Sequence, residues 1–295
     1  MNKLPKHKRI MILNMLVEGM SMRSISRTVD VSINTVAKLL VESGKACAEY
    51  HDKTVVDVNA RRVQCDEIWS FCYAKNKNVA TAKAAPEGAG DVWTWTALDS
   101  DSKMILSWEV GDRSGATALE FMDDLRGRLA NRVQLTTDGH KAYLEATEGA
   151  FGGDVDYAML VKLYGGSAGK TADKRYSPAE CVGIKKKSIE GSPDPKHIST
   201  SHVERHNLTM RMGMRRFTRL TNAFSKKIEN HVHMLSLFFV HYNFIRIHKS
   251  LRVTPAMEAG IVDELFDMGW LVDMIDANAP KPKRPATYKK REISK

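Results

Sequence analysis

Between residues 197 and 217 the chain reads HISTSHVERHNLTMRMGMRRF, and one carboxylate, Glu204, stands among Arg205, Arg211, Arg215, Arg216 and three histidines. If acids were there to balance charge, more than one would be expected, so Glu204 is a candidate for holding something that arginine cannot. A divalent cation fits that description. Phosphodiester cleavage by two metal ions requires carboxylates converging on centres about 3.5–4 Å apart, with cations nearby for the remaining phosphate charge. Two further acids are placed for the same work. Asp66 lies inside the β-type run RRVQCDEIWSFCYA, where aspartate is disfavoured. Asp138 ends the short run VQLTTDG. Neighbouring strands lie about 4.8 Å apart, so acids on two of them can share an ion. Each acid also has a plain structural reading. Asp138-Gly139 can be a turn, Asp66 a solvent-facing strand residue, and Ser201-x-x-Glu204 a capping box. Glu67 points to the opposite sheet face from Asp66, and strand period alone does not choose between them.

Other patterns point to different chemistry and fail on spacing. YGGSAGKT, residues 164–171, resembles a phosphate-binding loop, but Tyr164 stands where the first glycine is required. No nucleotide cofactor is therefore expected. His202 and His206 have the i, i+4 spacing of zinc-protease ligands, but Val203 occupies the place of the glutamate. His231 and His233 are expected on a helix surface.

The elements that must position the acids can be read from hydrophobic period. RRVQCDEIWSFCYA, DVWTWTALDS and KMILSWEVGD are strands, the last two separated by a Ser/Asp turn. GATALEFMDDLRGRLA is an amphipathic helix, VQLTTDG a strand, the stretch from His140 a helix and DYAMLVKLY a strand. Three strands, helix, strand, helix, strand is the order of an α/β, ribonuclease-H-like fold: a mixed five-stranded sheet with flanking helices. Strands one and four are neighbours in that fold, which brings Asp66 and Asp138 together. Gly165–Lys196, rich in Gly, Ser, Lys and Pro, is expected to be an insertion or mobile loop. Glu204 would reach in from a following helix.

Ahead of this lies an all-α segment. MRSISRTVDVSINTVAKLL has the grammar of a helix-turn-helix. Ile25 and Val29 face inward, Ser26 allows close approach, Asp30 takes the turn and Ser32 caps the second helix, anchored by Val36 and Leu39 or Leu40. Arg27, Ser32, Asn34, Thr35 and Lys38 are then suited to base edges and phosphates.

Charge agrees with a nucleic-acid partner. The net charge of +10 is concentrated: residues 1–50 carry eight Lys/Arg against four Asp/Glu, residues 196–252 eleven against two, and residues 280–295 seven against one. Three separate basic segments suit a polyanion. The four cysteines form no CxxC pair, which argues against a zinc ribbon or disulfide framework and fits a reducing cytoplasm. The basic N-terminus precedes an apolar run broken by Asn14 and Glu18, so neither a signal peptide nor a membrane span is expected.

Three segments, CDEIWSFCYAK, TTDGHKAY and above all VERHNLTMRMGMRRFTRLTNAFSKKIENHVHMLSLFFVHYNF, resemble the DD-E transposases of insertion-sequence-one-type bacterial elements. The resemblance covers roughly residues 60–250. It implies a metal-binding catalytic triad of Asp66, Asp138 and Glu204, with Asp66 preferred over Glu67. Mg²⁺ would be the cofactor, with Mn²⁺ able to substitute. Arg205, Asn207 and Arg211 match the polar side of the glutamate helix, and Arg205, Asn207, Arg211, Arg215 and Arg216 are expected to meet DNA. YNFIRIHKSLRVTPAMEAG is similar to the closing segment of many integrase-like transposases. One departure is that the cysteine zinc motif with which that group often begins is absent here.

The expected layout is a helix-turn-helix domain over 1–50, a linker over 51–62, the catalytic domain over 63–252 and a C-terminal helical segment with a basic tail over 253–295. The expected partners are double-stranded DNA, at element ends and at the target, and further copies of the chain on that DNA. A structure-selective nuclease of the same fold and a non-enzymatic helix-turn-helix regulator are the alternatives.

Overall fold

Six strands are set by runs of β-branched and aromatic residues, and their pairing decides which side chains share a face. They are β1 (Arg62–Cys72), β2 (Gly90–Asp99), β3 (Ile105–Gly111), β4 (Gln134–Thr137), β5 (Asp156–Tyr164) and β6 (Cys181–Glu190). The computed structural model describes residues 3–165, 181–218 and 223–279. The strands form one mixed sheet in the order β3-β2-β1-β4-β5-β6. β1, β2 and β3 pair antiparallel, β1–β4 and β4–β5 pair parallel, and β5–β6 is antiparallel again. The β2–β3 turn is fixed locally: the Asp99 carboxylate accepts from the backbone amides of Asp101 (3.2 Å) and Ser102 (3.0 Å).

The expected five-stranded sheet is corrected to six. Residues 181–190, expected in an insertion or mobile loop, pair along β5 as an edge strand. Both faces of β6 are largely exposed, so no buried face imposed the apolar alternation by which strands are recognised. The rest of the phosphate-loop-like stretch, residues 166–171, lies outside the described residues.

Register gives the sheet two distinct faces. Glu67 pairs with Trp95 and Trp95 with Glu109, while Asp66 pairs with Thr96 and Thr96 with Trp108. Helices α5 (Gly115–Arg128) and α6 (Ala142–Phe151) cover the first face, where Trp95 meets Phe121 and Tyr143. Helices α7 (Ser201–Gly213) and α8 (Ile228–Val240) cover the second, where Trp108 and His206 meet Phe239. α8 runs on into a wide turn, His241–Ile245, where the Asn243 side chain bonds both backbone groups of Ile105 (3.0 and 2.8 Å).

At the N-terminal end, α1 (Lys6–Val17), α2 (Met22–Val29) and α3 (Ile33–Thr54) pack together through Ile12, Leu13, Ile25, Val29, Val36 and Leu40, all buried. Asp30 takes the left-handed conformation (φ 54°) between α2 and α3, and the Ser32 hydroxyl accepts from the Asn34 amide (3.2 Å). α3 continues to Thr54, so the boundary expected after residue 50 falls inside a helix. Its inward face continues past that point through His51, which is buried with Nε2 3.4 Å from the Ile105 carbonyl oxygen. The described helices are completed by α4 (Asn76–Val79), α9 (Pro255–Glu258) and α10 (Met268–Asn278). Arg9 on α1 forms a two-pronged ion pair with Asp276 on α10 (2.6 and 2.8 Å). One apolar cluster runs from Ile12 through Phe121 and Phe239 to Leu271, so the terminal helices and the sheet domain share a core. Residues 280–295, the basic tail, lie outside the described residues. Among the described residues, no helix is long and apolar enough to cross a membrane.

α3 crosses α8 closely at Gly44, where an added Cβ would lie 2.4 Å from the His233 Cβ and 2.6 Å from its Cα. Alanine is worth about 1 kcal/mol more than glycine in a helix, but here that contact must be relieved by separating two helices, at about 1–3 kcal/mol. Gly44→Ala is therefore expected to destabilise by about 1 kcal/mol, read as a lower urea midpoint with unchanged m. A rise in the midpoint would show that α3 and α8 are not locked together there.

Candidate active site

Strand register places Asp66 and Asp138 side by side. β1 and β4 pair as Arg62–Gln134, Val63–Leu135 and Gln64–Thr136, a constant offset of 72 residues that carries Asp66 onto Asp138. Asp138 is the first residue beyond β4, where the backbone is free to turn. Its carboxylate accepts from the His140 amide (2.9 Å). Asp66, Glu67 and Asp138 each offer an oxygen within 4.8 Å of the others'.

Asp66 faces α7. Asn207 donates its side-chain amide to Asp66 Oδ2 (2.7 Å), and the Glu67 amide donates to Oδ1 (2.9 Å). Asn207 Oδ1 is buried and has no partner. Burial pushes the Asp66 carboxyl up to about 8, reinforced by the charges of Glu67, Asp138 and Glu204. The three converging acids form a hard-oxygen donor set. That set suits Mg²⁺ or Mn²⁺ and is a poor match for softer metals.

Glu67, set aside in the sequence in favour of Asp66, belongs to the cluster. It points to the α5/α6 face, where Arg113 holds Oε1 (2.7 Å from Nε) and Tyr143 donates to Oε2 (3.0 Å). Arg113 also lies 3.9 Å from Asp138. Burial and Asp138 raise the Glu67 carboxyl above its ordinary value, with Arg113 opposing. An ionisable side chain adjacent to a mid-strand Asp was visible in the sequence. Its role needed the partners that only tertiary contacts supply.

Glu204 enters from the first turn of α7, as expected, but stands outside the 4.8 Å group. Lys162 on β5 donates to its Oε2 and Thr200 to its Oε1, each at 2.5 Å. Burial works to lower the Lys162 ammonium, yet Glu204 holds it above its ordinary value. The capping-box reading is not borne out: α7 is preceded by Thr200, and the Ser201 amide donates to Ser199 Oγ (3.2 Å).

The remaining expected contact residues divide by exposure. Arg27, Ser32, Asn34, Lys38, Arg205, Arg211 and Arg215 are exposed, and Thr35 is half-buried. Asn207 is turned inward onto Asp66. Arg216 is half-buried and donates from Nε to Ser225 Oγ (2.6 Å), so it braces the loop after α7 rather than facing outward.

No family model matches the chain, and no curated protein matches it. Among solved structures it is similar to the Mos1 transposase paired-end complex with left transposon end: 16% identity, 50% of this chain, 58% of that one, TM-score 0.21. The Mos1 strand transfer complex follows, at 16% identity, 53% and 59% coverage and TM-score 0.23. A piggyBac transposase synaptic complex with hairpin DNA is matched at 10% identity over 94% of this chain and 73% of that one, TM-score 0.36. The chain thus spans less than two thirds of the length of the Mos1 chains it matches.

One histidine of each pair is buried in the packing. His206 is buried against Phe238, Phe239 and Tyr242, and burial lowers it to about 3, while His202 is exposed. His231, expected on a helix surface, is instead fully buried between Phe217 and Ser70. α8 is covered by the sheet on one side and α3 on another, leaving little surface for it to face.

Proposed function

We propose that the chain is a DD-E transposase that binds the ends of its own element and carries out metal-dependent strand cleavage and strand transfer. The observation that supports this most is the in-register pair Asp66 and Asp138 at the carboxyl end of β4, with Glu204 close enough to raise Asp66. Asp66, Asp138 and Glu204 would hold Mg²⁺, with Mn²⁺ accepted in its place. A divalent cation bound there would polarise the scissile phosphate and lower the cost of generating an attacking oxygen nucleophile.

The protein's own groups then have distinct tasks. Asn207 fixes the orientation of Asp66. Arg113 and Tyr143 hold Glu67 to the far face, limiting its competition for the cation. Lys162 neutralises Glu204 through their ion pair. Arg205, Arg211 and Arg215 supply exposed positive charge for phosphates along the DNA. Residues 22–40 serve as the recognition module, with Arg27, Ser32, Asn34, Thr35 and Lys38 toward the duplex, and copies of the chain pair the two ends.

The test uses the purified full chain with a supercoiled plasmid carrying the DNA that flanks its gene. Mg²⁺ or Mn²⁺ should yield nicks at defined ends with free 3′ hydroxyls, and joined products should follow. Excess EDTA should abolish both. Cleavage without joining would favour the nuclease of the same fold; full activity in EDTA would end the metal reading.

A further inference from the structure

Next to the acid cluster, β1 carries aromatic rings that the main core does not use, beside Trp93 of β2, which packs against the edge of that core. Trp69 and Trp93 are direct cross-strand partners, both half-buried, on the face of the sheet that Glu67 occupies. Phe71 lies one pleat further along β1, 5.8 Å from Trp69 between ring centres, and Phe224 closes the far side at 5.0 Å from Phe71. Trp69, Phe71 and Phe224 do not pack against the apolar cluster that holds the protein together. Two cations lie over these rings. Lys75 Nζ is 5.4 Å from the centre of Trp69 and 5.8 Å from that of Phe71, and the Arg113 guanidinium is 4.7 Å from Trp93.

Arg113 ties this platform to the acids, because the guanidinium that stacks on Trp93 also binds Glu67 and lies near Asp138. β1 pairs with β4 only as far as Gln64 and is met again at Cys72 by Ser225, so between Asp66 and Phe71 its edge on the β4 side has no strand partner among the described residues and leads from the acids to the rings. From Glu67 to Trp69 is one pleat, about 7 Å.

We propose that Trp69, Phe71 and Trp93, with Lys75 and Arg113, form a stacking platform for unpaired nucleotides of the DNA beside the cleavage position. This rests on the reading of Asp66 and its neighbours as a strand-cleaving site. Bases within a duplex keep their faces stacked on one another and offer only edges in the grooves. A flat aromatic surface can therefore engage only a base that has left the stack, and it does so whatever the sequence, since every base has a π face. The two cations over these rings suit the accompanying phosphates, and the chain's net charge of +10 favours a nucleic-acid occupant over an apolar protein surface. The platform would hold the strand that separates from its complement at the cut, keeping the scissile phosphate exposed to the acids.

The experiment measures binding without chemistry. The full chain, in EDTA, is titrated against two labelled probes: a hairpin duplex with a short oligothymidine flank, and the same hairpin with that flank paired. The unpaired flank should bind about tenfold more tightly, the scale of a stacked base. Trp69→Ala should bring the ratio of the two affinities close to one, Lys75→Gln should reduce it, and Trp69→Phe should retain most of it. Melting curves report folding, and Lys75→Gln serves should Trp69→Ala prove unstable. A wild-type ratio of one, or a ratio unaffected in Trp69→Ala and Lys75→Gln, overturns the platform while leaving the cleavage reading standing. A change in the mass of the free protein on Trp69→Ala with the ratio intact would make the patch a contact between copies and equally overturn it. Failure to bind either probe would defeat the DNA reading itself.

Discussion

Glu204→Gln should leave DNA affinity unchanged or slightly higher while strand cleavage falls by about two to three orders of magnitude. Glutamine preserves size and helix propensity, and its side-chain oxygen can still accept from Thr200 Oγ1 as Glu204 does. What it removes is the charge needed to hold a cation, and with it the partner of Lys162. The surrounding Arg205, Arg211 and Arg215 would then be less balanced, which is why binding should not suffer. Asp138→Asn should behave in the same way. Affinity, cleavage and thermal melting are measured on one preparation of each variant. Near-normal cleavage by Glu204→Gln would remove Glu204 from the triad, and with Glu67 already in the 4.8 Å group, attention would move to that residue.

Asp66→Asn is expected to stabilise the metal-free protein and abolish its response to Mg²⁺. With the Asp66 carboxyl pushed up to about 8, the folded state disfavours the ionised form that the unfolded chain carries above about pH 4. Folding stability should therefore fall as pH rises from about 4 towards 8 and level off beyond, because the unfolded chain releases this proton first. Removing the carboxylate should recover on the order of 3 kcal/mol at pH 8. In a domain of this size that is about 6–12 °C in Tm. Wild type should gain stability when Mg²⁺ is added, by mass action on the folded state. The variant should gain little. Equal Mg²⁺ shifts in the two proteins would show that Asp66 is not a ligand. A variant melting below wild type at pH 8 would show that the cluster's repulsion is relieved by other means.

Much of this protein could be read directly from residue order. The strand–helix alternation from Arg62 to Tyr164 follows from side-chain period, because a half-buried strand must alternate and an amphipathic helix must repeat about every 3.6 residues. α2 and α3 were legible for the same reason, with Asp30 and Ser32 marking the turn by their own local chemistry. Asp66 and Asp138 could be paired in advance because the first and fourth strands of the expected fold are neighbours. The lone acid among arginines in α7 was conspicuous without any structure.

What escaped the sequence was decided by which surfaces become covered. β6 has no buried face, so nothing in its pattern distinguished Cys181–Glu190 from a loop; its backbone pairing with β5 made it a strand. His231 looked like surface on α8 until α3 and the sheet closed over that helix. The break expected near residue 50 vanished because α3 shares its apolar face with α8, a contact between residues nearly two hundred positions apart. Glu67 is the sharpest case. Period placed it on the face opposite Asp66, correctly, yet only the arrival of Arg113 and Tyr143 on that face, and of Asp138 at the strand end, brought it into the acid cluster. A sequence specifies side-chain direction through local backbone geometry, whereas the partners that set charge, burial and proton affinity come from distant parts of the chain.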